Sequence, residues 1–226
     1  MLHALRREGQ LARERAEAVM TLSTEQGFPF WLAWGTMVQG WVLAEEGQVQ
    51  EGIARMRQML APFTFAMLAE AHGKVGQAEE GLTVLADALA HVHKTGGRVS
   101  EAELYRVKGQ LVLQSAVHSP QSKQVSGKSQ ASQDLSEVPS TQHPTPSTHA
   151  EAEAEACFHT AIEIARKQQA KSLELRAAMS LSRLWQQQGK QDEAHQILSE
   201  IYGWFTEGFD TKDLQEAKTL LEELKH

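Results

Sequence analysis

Two pairs of side chains, a tryptophan pair in the N-terminal part of the chain and an arginine pair in the C-terminal part, are spaced as on one face of a helix. Trp34 and Trp41 are seven positions apart, which is about two helical turns, so both lie on one helix face and suit the binding of apolar groups. Arg176 and Arg183 repeat that spacing and suit bidentate binding of a carboxylate. These residues predict a binding surface that passes from aromatic to basic. The alternative is that the tryptophans belong to the core and the arginines are solvated.

Patterns that would support catalysis or metal binding are weak. His91 and His93 are two positions apart on a predicted helix, hence on different faces, whereas zinc sites use pairs spaced i, i+4. Cys157 is the single cysteine, and the carboxylates of Glu153 and Glu155 nearby would raise its pKa, so a reactive thiolate is not expected. We therefore expect no catalytic residue, no cofactor, no metal and no enzyme activity. An enzyme would need a catalytic constellation that we do not find.

The elements that must position these side chains are indicated by a short pattern that occurs three times. Its copies are Gly40–Gly52, Ala69–Gly81 and Ser182–Ala194. Each copy has a small residue in mid-helix, a glycine seven positions later and another small residue five positions after that. Small residues let two helices approach closely, and the glycine ends the first helix where a positive φ is needed. The pattern predicts stacked helical hairpins.

Four further runs carry a resemblance to a known family: Leu22–Gly35, His72–Leu82, Glu101–Gly109 and Ile201–Asp210. They resemble the C-terminal tetratricopeptide-repeat (TPR) region of bacterial signalling proteins, in which a nucleotide cyclase domain and a P-loop ATPase module precede the repeats. The resemblance implies a cytoplasmic, non-catalytic module that binds a protein or peptide, with any cyclase or ATPase activity in upstream domains absent from this chain. A stand-alone peptide-binding scaffold and the sensor arm of a transcriptional activator remain alternatives.

The expected fold is an all-α, right-handed α-solenoid of tetratricopeptide-like hairpins with a C-terminal capping helix at about 211–225. In such arrays the first helix of each hairpin lines a concave groove. Counting from the small mid-helix residue of each hairpin gives the candidate peptide groove: Trp34, Met37, Trp41, Glu45, Phe63, Glu70, Lys74, Arg106, Gln110, Gln114, Arg176, Met179, Arg183, Gln186 and Gln187.

The chain divides by composition into three segments. Residues 1–114 are expected to hold N-terminal helical repeats, and 150–226 the C-terminal repeats and capping helix of the same solenoid. Between them, 115–149 is rich in Ser, Gln and Pro and poor in large apolar side chains, which predicts a disordered insertion. The alternative is a docking segment.

Two places are expected to depart from the regular array. A helix at about 3–26 lacks a partner helix before it, so its exposed face is expected to allow weak self-association. The junction Leu60-Ala61-Pro62 is too short for the usual loop, and we expect either a tight turn or one long helix kinked at the proline.

Composition and charge exclude two classes of partner. The net charge of −7 argues against nucleic acid, because a protein that neutralises phosphates needs a Lys/Arg face. The basic run that contains Arg6, Arg7 and Arg13 is interleaved with glutamates and is interpreted as a solvated helix face. The uncharged stretch Phe28–Ala44 is shorter than the roughly 20 apolar residues of a membrane span, so a buried helix is expected there.

Overall fold

A computed structural model describes residues 4, 6–57, 62–96, 98–118 and 148–225. These residues form ten α-helices and no β-strand. The helices are α1 (Gly9–Gln26), α2 (Pro29–Glu45), α3 (Val49–Met56), α4 (Pro62–Lys74), α5 (Ala78–Thr95), α6 (Glu101–His118), α7 (Thr148–Lys167), α8 (Lys171–Gln187), α9 (Gln191–Tyr202) and α10 (Lys212–Glu223), with one turn of 3₁₀-helix at Arg98–Ser100 before α6.

Helix packing follows two rules along the whole array. Each helix packs against the next one in the chain, and the even-numbered helices also pack against one another in the order α2, α4, α6, α8, α10. Paired helices that stack in one row make a solenoid whose inner surface is formed by alternate helices. The chain is therefore an all-α solenoid of tetratricopeptide-like hairpins that ends in helix α10, as the repeated pattern predicts.

Small residues lie where the two helices of a hairpin cross. A methyl group on Gly52 would lie 2.5 Å from the carbonyl oxygen of Gly40, so in the α2–α3 hairpin nothing larger than hydrogen fits there. The equivalent position of the α8–α9 hairpin has more room, and the Ser182 hydroxyl donates a hydrogen bond to the Ala194 carbonyl at 3.1 Å. Within each hairpin this line of close contact is called the seam below.

Glycines end the first helix of the hairpins as the pattern predicts. Gly47, Gly76 and Gly189 follow α2, α4 and α8 with φ of 90°, 75° and 76°, a region that side chains with a Cβ rarely adopt. The chain then reverses within a few residues, which places the second helix antiparallel to the first.

Helices α6 and α7 form one hairpin although the predicted insertion separates them in sequence. The ring of Phe158, which is fully buried, packs against Gly109, where a Cβ would lie 2.6 Å from the ring. Helix α6 runs to His118, four residues beyond the expected boundary at Gln114, and α7 begins at Thr148. Residues 119–147, most of that insertion, lie outside the described residues.

The turn from α7 to α8 is fixed by a buried carboxylate. Glu174 is 1% exposed and accepts hydrogen bonds from Arg166 and Lys171, each at 2.7 Å. Burial opposes its ionisation, but the bonds from Lys171 and Arg166 outweigh that and lower the pKa of Glu174. The turn therefore carries an ionised carboxylate held between two cations.

The N-terminal helix differs from its expected bounds. It begins at Gly9 rather than near residue 3, because Arg7 has a φ of 59° and turns the chain just before the helix. Helix α1 packs against α2, where Gly35 makes room for the side chain of Met20. The Leu60-Ala61-Pro62 junction falls largely on residues 58–61, which lie outside the described residues.

The core follows the row of hairpins rather than forming one centre. Its largest part joins α7, α8, α9 and α10, a second part joins α1, α2, α3 and α4, and a third joins α4, α5 and α6. Within the described residues, no helix combines the length and apolarity that a membrane crossing requires.

Candidate functional site

The even-numbered helices face a concave cavity of about 900 Å³. Side chains from all five of them contribute, together with the 3₁₀ turn, the α7–α8 turn and the segment before α1. This volume lies within the range of pockets that bind ligands. The lining residues are Ala4, Arg7, Trp34, Trp41, Glu45, Ala66, Met67, Glu70, Arg98, Val99, Ser100, Glu103, Arg106, Gln110, Gln168, Ala170, Ser172, Leu173, Arg176, Met179, Ser180, Arg183 and Glu216.

The apolar part of the wall lies mainly on α2, α4 and α8. Trp34 and Met67 are half-buried, so each has a surface that a ligand can cover. Trp41 and Met179 border the cavity but are only 5% and 3% exposed. Val99, on the 3₁₀ turn, is 84% exposed and is the most accessible apolar side chain of the wall. The wall thus offers both a fixed apolar floor and exposed apolar edges.

Arginines and carboxylates alternate along the same surface and form what we call the charge ladder. At one end, Arg106 makes two hydrogen bonds to Glu103, at 2.9 and 2.7 Å, and lies 3.8 Å from Glu70. Arg176 lies 3.7 Å from Glu103 and donates to Asp213 at 2.7 Å. Glu103 is therefore held by Arg106 of its own helix and by Arg176 of the neighbouring helix α8.

The other end of the charge ladder joins the two ends of the chain. Arg7 donates to both carboxylate oxygens of Glu216, at 3.1 and 3.0 Å, and lies 3.5 Å from Asp213. Arg183 lies 3.8 Å from Glu216. In order, the ladder is Arg183, Glu216, Arg7, Asp213, Arg176, Glu103, Arg106 and Glu70.

The pKa values of two ladder groups, Glu103 and Arg106, are shifted further from neutral pH. Burial opposes the ionisation of Glu103, but the charges of Arg106, Arg176 and Arg7 outweigh it and lower the pKa of Glu103 to about 2. Burial likewise opposes the charge on Arg106, yet Glu103 and Glu70 raise its pKa above the usual value. A general acid or base needs a pKa near the working pH, so these groups suit binding rather than proton transfer.

Most of the sequence-predicted groove residues border this cavity. The predicted change from an aromatic to a basic surface is not observed, because the surface around the arginines is not basic. Each of Arg106, Arg176 and Arg183 is paired with one or two carboxylates of the charge ladder. The predicted residues in the wall are Trp34, Trp41, Glu45, Glu70, Arg106, Gln110, Arg176, Met179 and Arg183.

The remaining predicted residues lie elsewhere. Met37 is fully buried in the core, because its position on α2 faces the neighbouring helices rather than the groove. Lys74 is not part of the wall but pairs with Glu45, which is. Gln114 also lies outside the wall and donates to the carbonyl of Gly73 at 2.7 Å. Residues outside the cavity wall also include Gln186 and Gln187 at the end of α8, while the side chain of Phe63 lies outside the described residues.

Sequence reasoning placed Glu70 in the groove but missed the other three carboxylates of the ladder. Glu103 precedes Arg106 by three positions, a helical spacing that could have indicated the pair. Asp213 and Glu216 lie on α10 and carry no local signal of their partners. The interpretation of Arg7 as part of a solvated helix face is wrong, because Arg7 donates a hydrogen bond to Glu216. Glu216 is 209 positions away in sequence, so no local pattern indicates this contact.

The other sequence candidates for chemistry stay apart from the cavity. His91 and His93 lie on the exposed side of α5. Cys157 is buried in α7, and burial, with a smaller contribution from Glu153, raises the pKa of its thiol. Across the described part of the chain, no three histidine, cysteine or carboxylate side chains cluster as ligands for a metal ion.

Comparison with known proteins gives a likeness in structure but none in sequence. No family model matches the sequence, and no curated protein matches it. Among solved structures, the chain is similar to the nearly identical TPR-like repeats of a Podosopora anserina protein described as a kinesin light chain. The identity is 17%, the TM-score is 0.49, and the match covers 84% of this chain and 92% of that chain. The assignment as an array of tetratricopeptide-like hairpins therefore stands on the helix packing described above.

Proposed function

We propose that the chain is a non-catalytic interaction module that binds a peptide segment of a protein partner in the concave cavity. The observation that carries this proposal is the cavity itself, which every even-numbered helix helps to line and whose wall combines exposed apolar side chains with fixed charges. Peptides suit such a surface because their side chains need apolar contacts and their backbone needs polar partners.

The electrostatics of the wall favour binding over catalysis. The pKa of Glu103 is lowered and that of Arg106 is raised, so both stay charged throughout the physiological range. The charge ladder holds four arginines against four carboxylates and is neutral overall. A neutral, preorganised set of charges can orient a ligand without attracting nucleic acid.

Selection from a phage-displayed library of random peptides tests the proposal. The immobilised wild-type chain is expected to enrich peptides whose binding is weakened at least tenfold by Val99→Glu, because the new carboxylate would lie in the cavity wall. Val99 is 84% exposed, so the substitution is not expected to disturb folding.

A matched control is Leu22→Glu, which also adds a carboxylate at an exposed apolar position, 56% exposed, away from the cavity. It is expected to leave binding unchanged. Selection that enriches no peptide, or peptides that bind Val99→Glu as tightly as wild type, would contradict the proposal.

We further propose, from the sequence resemblance alone, that this module is the sensory repeat region of a cytoplasmic bacterial cyclase and ATPase signalling protein. An immunoblot of source cells with an antibody to this chain measures the size of the native polypeptide. A band far above 25.1 kDa is expected. A band near that mass would instead favour the stand-alone scaffold.

A further inference from the structure

Two residues before α1, Ala4 and Arg7, line the candidate cavity although they belong to none of the helices that form it. Ala4 is 2% exposed and packs in the same core cluster as Trp41, while Arg7 reaches the carboxylates of Glu216 and Asp213 on the last helix. Both residues line the cavity. Part of the concave surface is thus already covered by the chain itself.

The backbone at Arg7 is in an unfavourable conformation. Its φ of 59° is in the left-handed region, which costs a residue other than glycine on the order of 1 kcal/mol. Such a conformation persists where the surroundings determine it. Here the two hydrogen bonds to Glu216 hold the side chain in place.

The carboxylate site that Arg7 occupies is only partly satisfied. Asp213 is 8% exposed, and its Oδ2 accepts a bond from Arg176 at 2.7 Å. Its Oδ1 is buried without a hydrogen-bond partner among the described residues, and Arg7 Nη1 lies 3.5 Å away. A buried acceptor without a donor costs about 1–3 kcal/mol. A guanidinium placed slightly differently would donate to Asp213 and Glu216 together.

The charge balance indicates what a replacement for Arg7 must carry. With Arg7 absent, three arginines of the charge ladder would face its four carboxylates, leaving one negative charge in excess. A cation is therefore needed in this place, and the planar fork of arginine suits two neighbouring carboxylates better than the single ammonium of lysine.

Building on the proposed function, we infer that the Asp213 and Glu216 end of the cavity recognises an arginine side chain of the bound peptide. Arg7 is the internal occupant that this arginine displaces. The peptide's arginine takes the place of Arg7, and a small apolar side chain three positions before it takes the place of Ala4. A short tether raises the local concentration of Arg7 into the millimolar range, so a free peptide must compete with it.

A direct test uses a fluorescent peptide with the sequence of residues 1–8, MLHALRRE, added to the full chain. Fluorescence polarisation gives the Kd. The Arg7→Ala variant is expected to bind this peptide about tenfold more tightly than wild type, because the internal competitor is removed. A peptide with glutamine in place of its second arginine is expected to lose that binding.

The neighbouring arginine provides a matched control. Arg6 pairs with Glu8 at 3.0 Å, within its own turn, so Arg6→Ala is expected to bind like wild type. Adding Glu216→Gln to Arg7→Ala is expected to abolish the gain. Circular dichroism of each variant checks that the helices are intact.

The possible failures are distinguishable. If library peptides bind in a way that depends on Val99 while Arg7→Ala changes neither their affinity nor that of the labelled peptide, the arginine site is refuted and the proposed function stands. If neither kind of peptide binds any variant, both proposals fail. Equal affinity for the arginine and glutamine peptides would also refute the arginine site.

Discussion

The seams inside the hairpins and the concave face between them are held together by different forces. At the α2–α3 seam, backbone meets backbone, with the Gly40 carbonyl 2.5 Å from the point where a Gly52 Cβ would lie. On the concave face, long side chains from different helices meet through ion pairs, as Arg176 does with Glu103 and Asp213. The α2–α3 seam depends on the absence of side-chain atoms, whereas the concave face depends on side-chain charge.

The contacts of a seam are specified by two consecutive helices, whereas the contacts of the concave face depend on the whole array. The backbone contact between Gly40 and Gly52 involves no charged atom and should be insensitive to pH and salt. The charge ladder is sensitive to both. Substitutions in the two regions should therefore differ in size and in their response to solution conditions.

The largest effect is expected from Gly52→Ala at the α2–α3 seam. The added methyl would lie 2.5 Å from the Gly40 carbonyl and 2.9 Å from the Ala44 nitrogen, so the helices must separate. We expect a loss of about 3 kcal/mol in the free energy of unfolding, measured by urea denaturation and unchanged between low and high salt. Gly9→Ala is the control, since no described residue lies within 4 Å of its added methyl. If Gly52→Ala were as stable as wild type, close packing at Gly52 would not be needed for the α2–α3 hairpin.

A smaller effect, of about 2 kcal/mol at neutral pH, is expected from Glu103→Gln on the concave face. The folded-state pKa of Glu103 is about 2 against an ordinary value of 4.5. Stability from its ionisation is therefore fully present above the ordinary pKa and is lost as the pH falls towards 2. Urea denaturation between about pH 5 and pH 2 should show wild type losing more stability than Glu103→Gln. Parallel pH profiles would show that Glu103 does not stabilise the fold through its charge.

Ser182→Ala should cost less, about 1 kcal/mol, although it is the counterpart of Gly40 in the α8–α9 hairpin. Ser182 is fully buried, and the substitution removes its hydrogen bond to the Ala194 carbonyl without adding any atom to the seam. Thermal unfolding at two pH values should give the same small decrease. A loss as large as that of Gly52→Ala would mean that the two seams are equally intolerant of change.

The smallest effect is expected from Arg183→Ala, at the solvent-exposed end of the charge ladder. Its side chain is 46% exposed and lies 3.8 Å from Glu216, so the pair should contribute less than about 0.5 kcal/mol. Urea denaturation in low salt should show that small difference, and high salt should remove it. A large loss in the free energy of unfolding that persists in high salt would show that Arg183 stabilises the concave face by more than a screened ion pair.

The sequence predicted the seams well because they follow a local rule. Small residues twelve positions apart, such as Gly40 with Gly52 and Ser182 with Ala194, specify where two consecutive helices cross. The turn glycine between them supplies the positive φ. The pairing of the hairpins that carry the pattern could therefore be predicted from periodicity, although the start of α1 and the end of α6 differ from their expected bounds.

The concave face was predicted only in outline, because its partners are distant in sequence. Register placed Trp34 and Arg176 on the inner helices, but it gave no sign that Arg176 is neutralised by Asp213 on α10. Arg7 was the hardest to predict, since a turn with positive φ interrupts the expected helix and points its side chain across the molecule. The spacing of residues along a helix gives no information about a contact between Arg7, just before α1, and the last helix, α10.

That contact changes how the array should come apart. In an open row of repeats each unit touches only its neighbours, and fraying can start independently at either end. Here Arg7 connects the start of α1 to Glu216 on α10. Amide hydrogen exchange in α1 and α10 should therefore be linked, so that a substitution that loosens one of these helices also speeds exchange in the other.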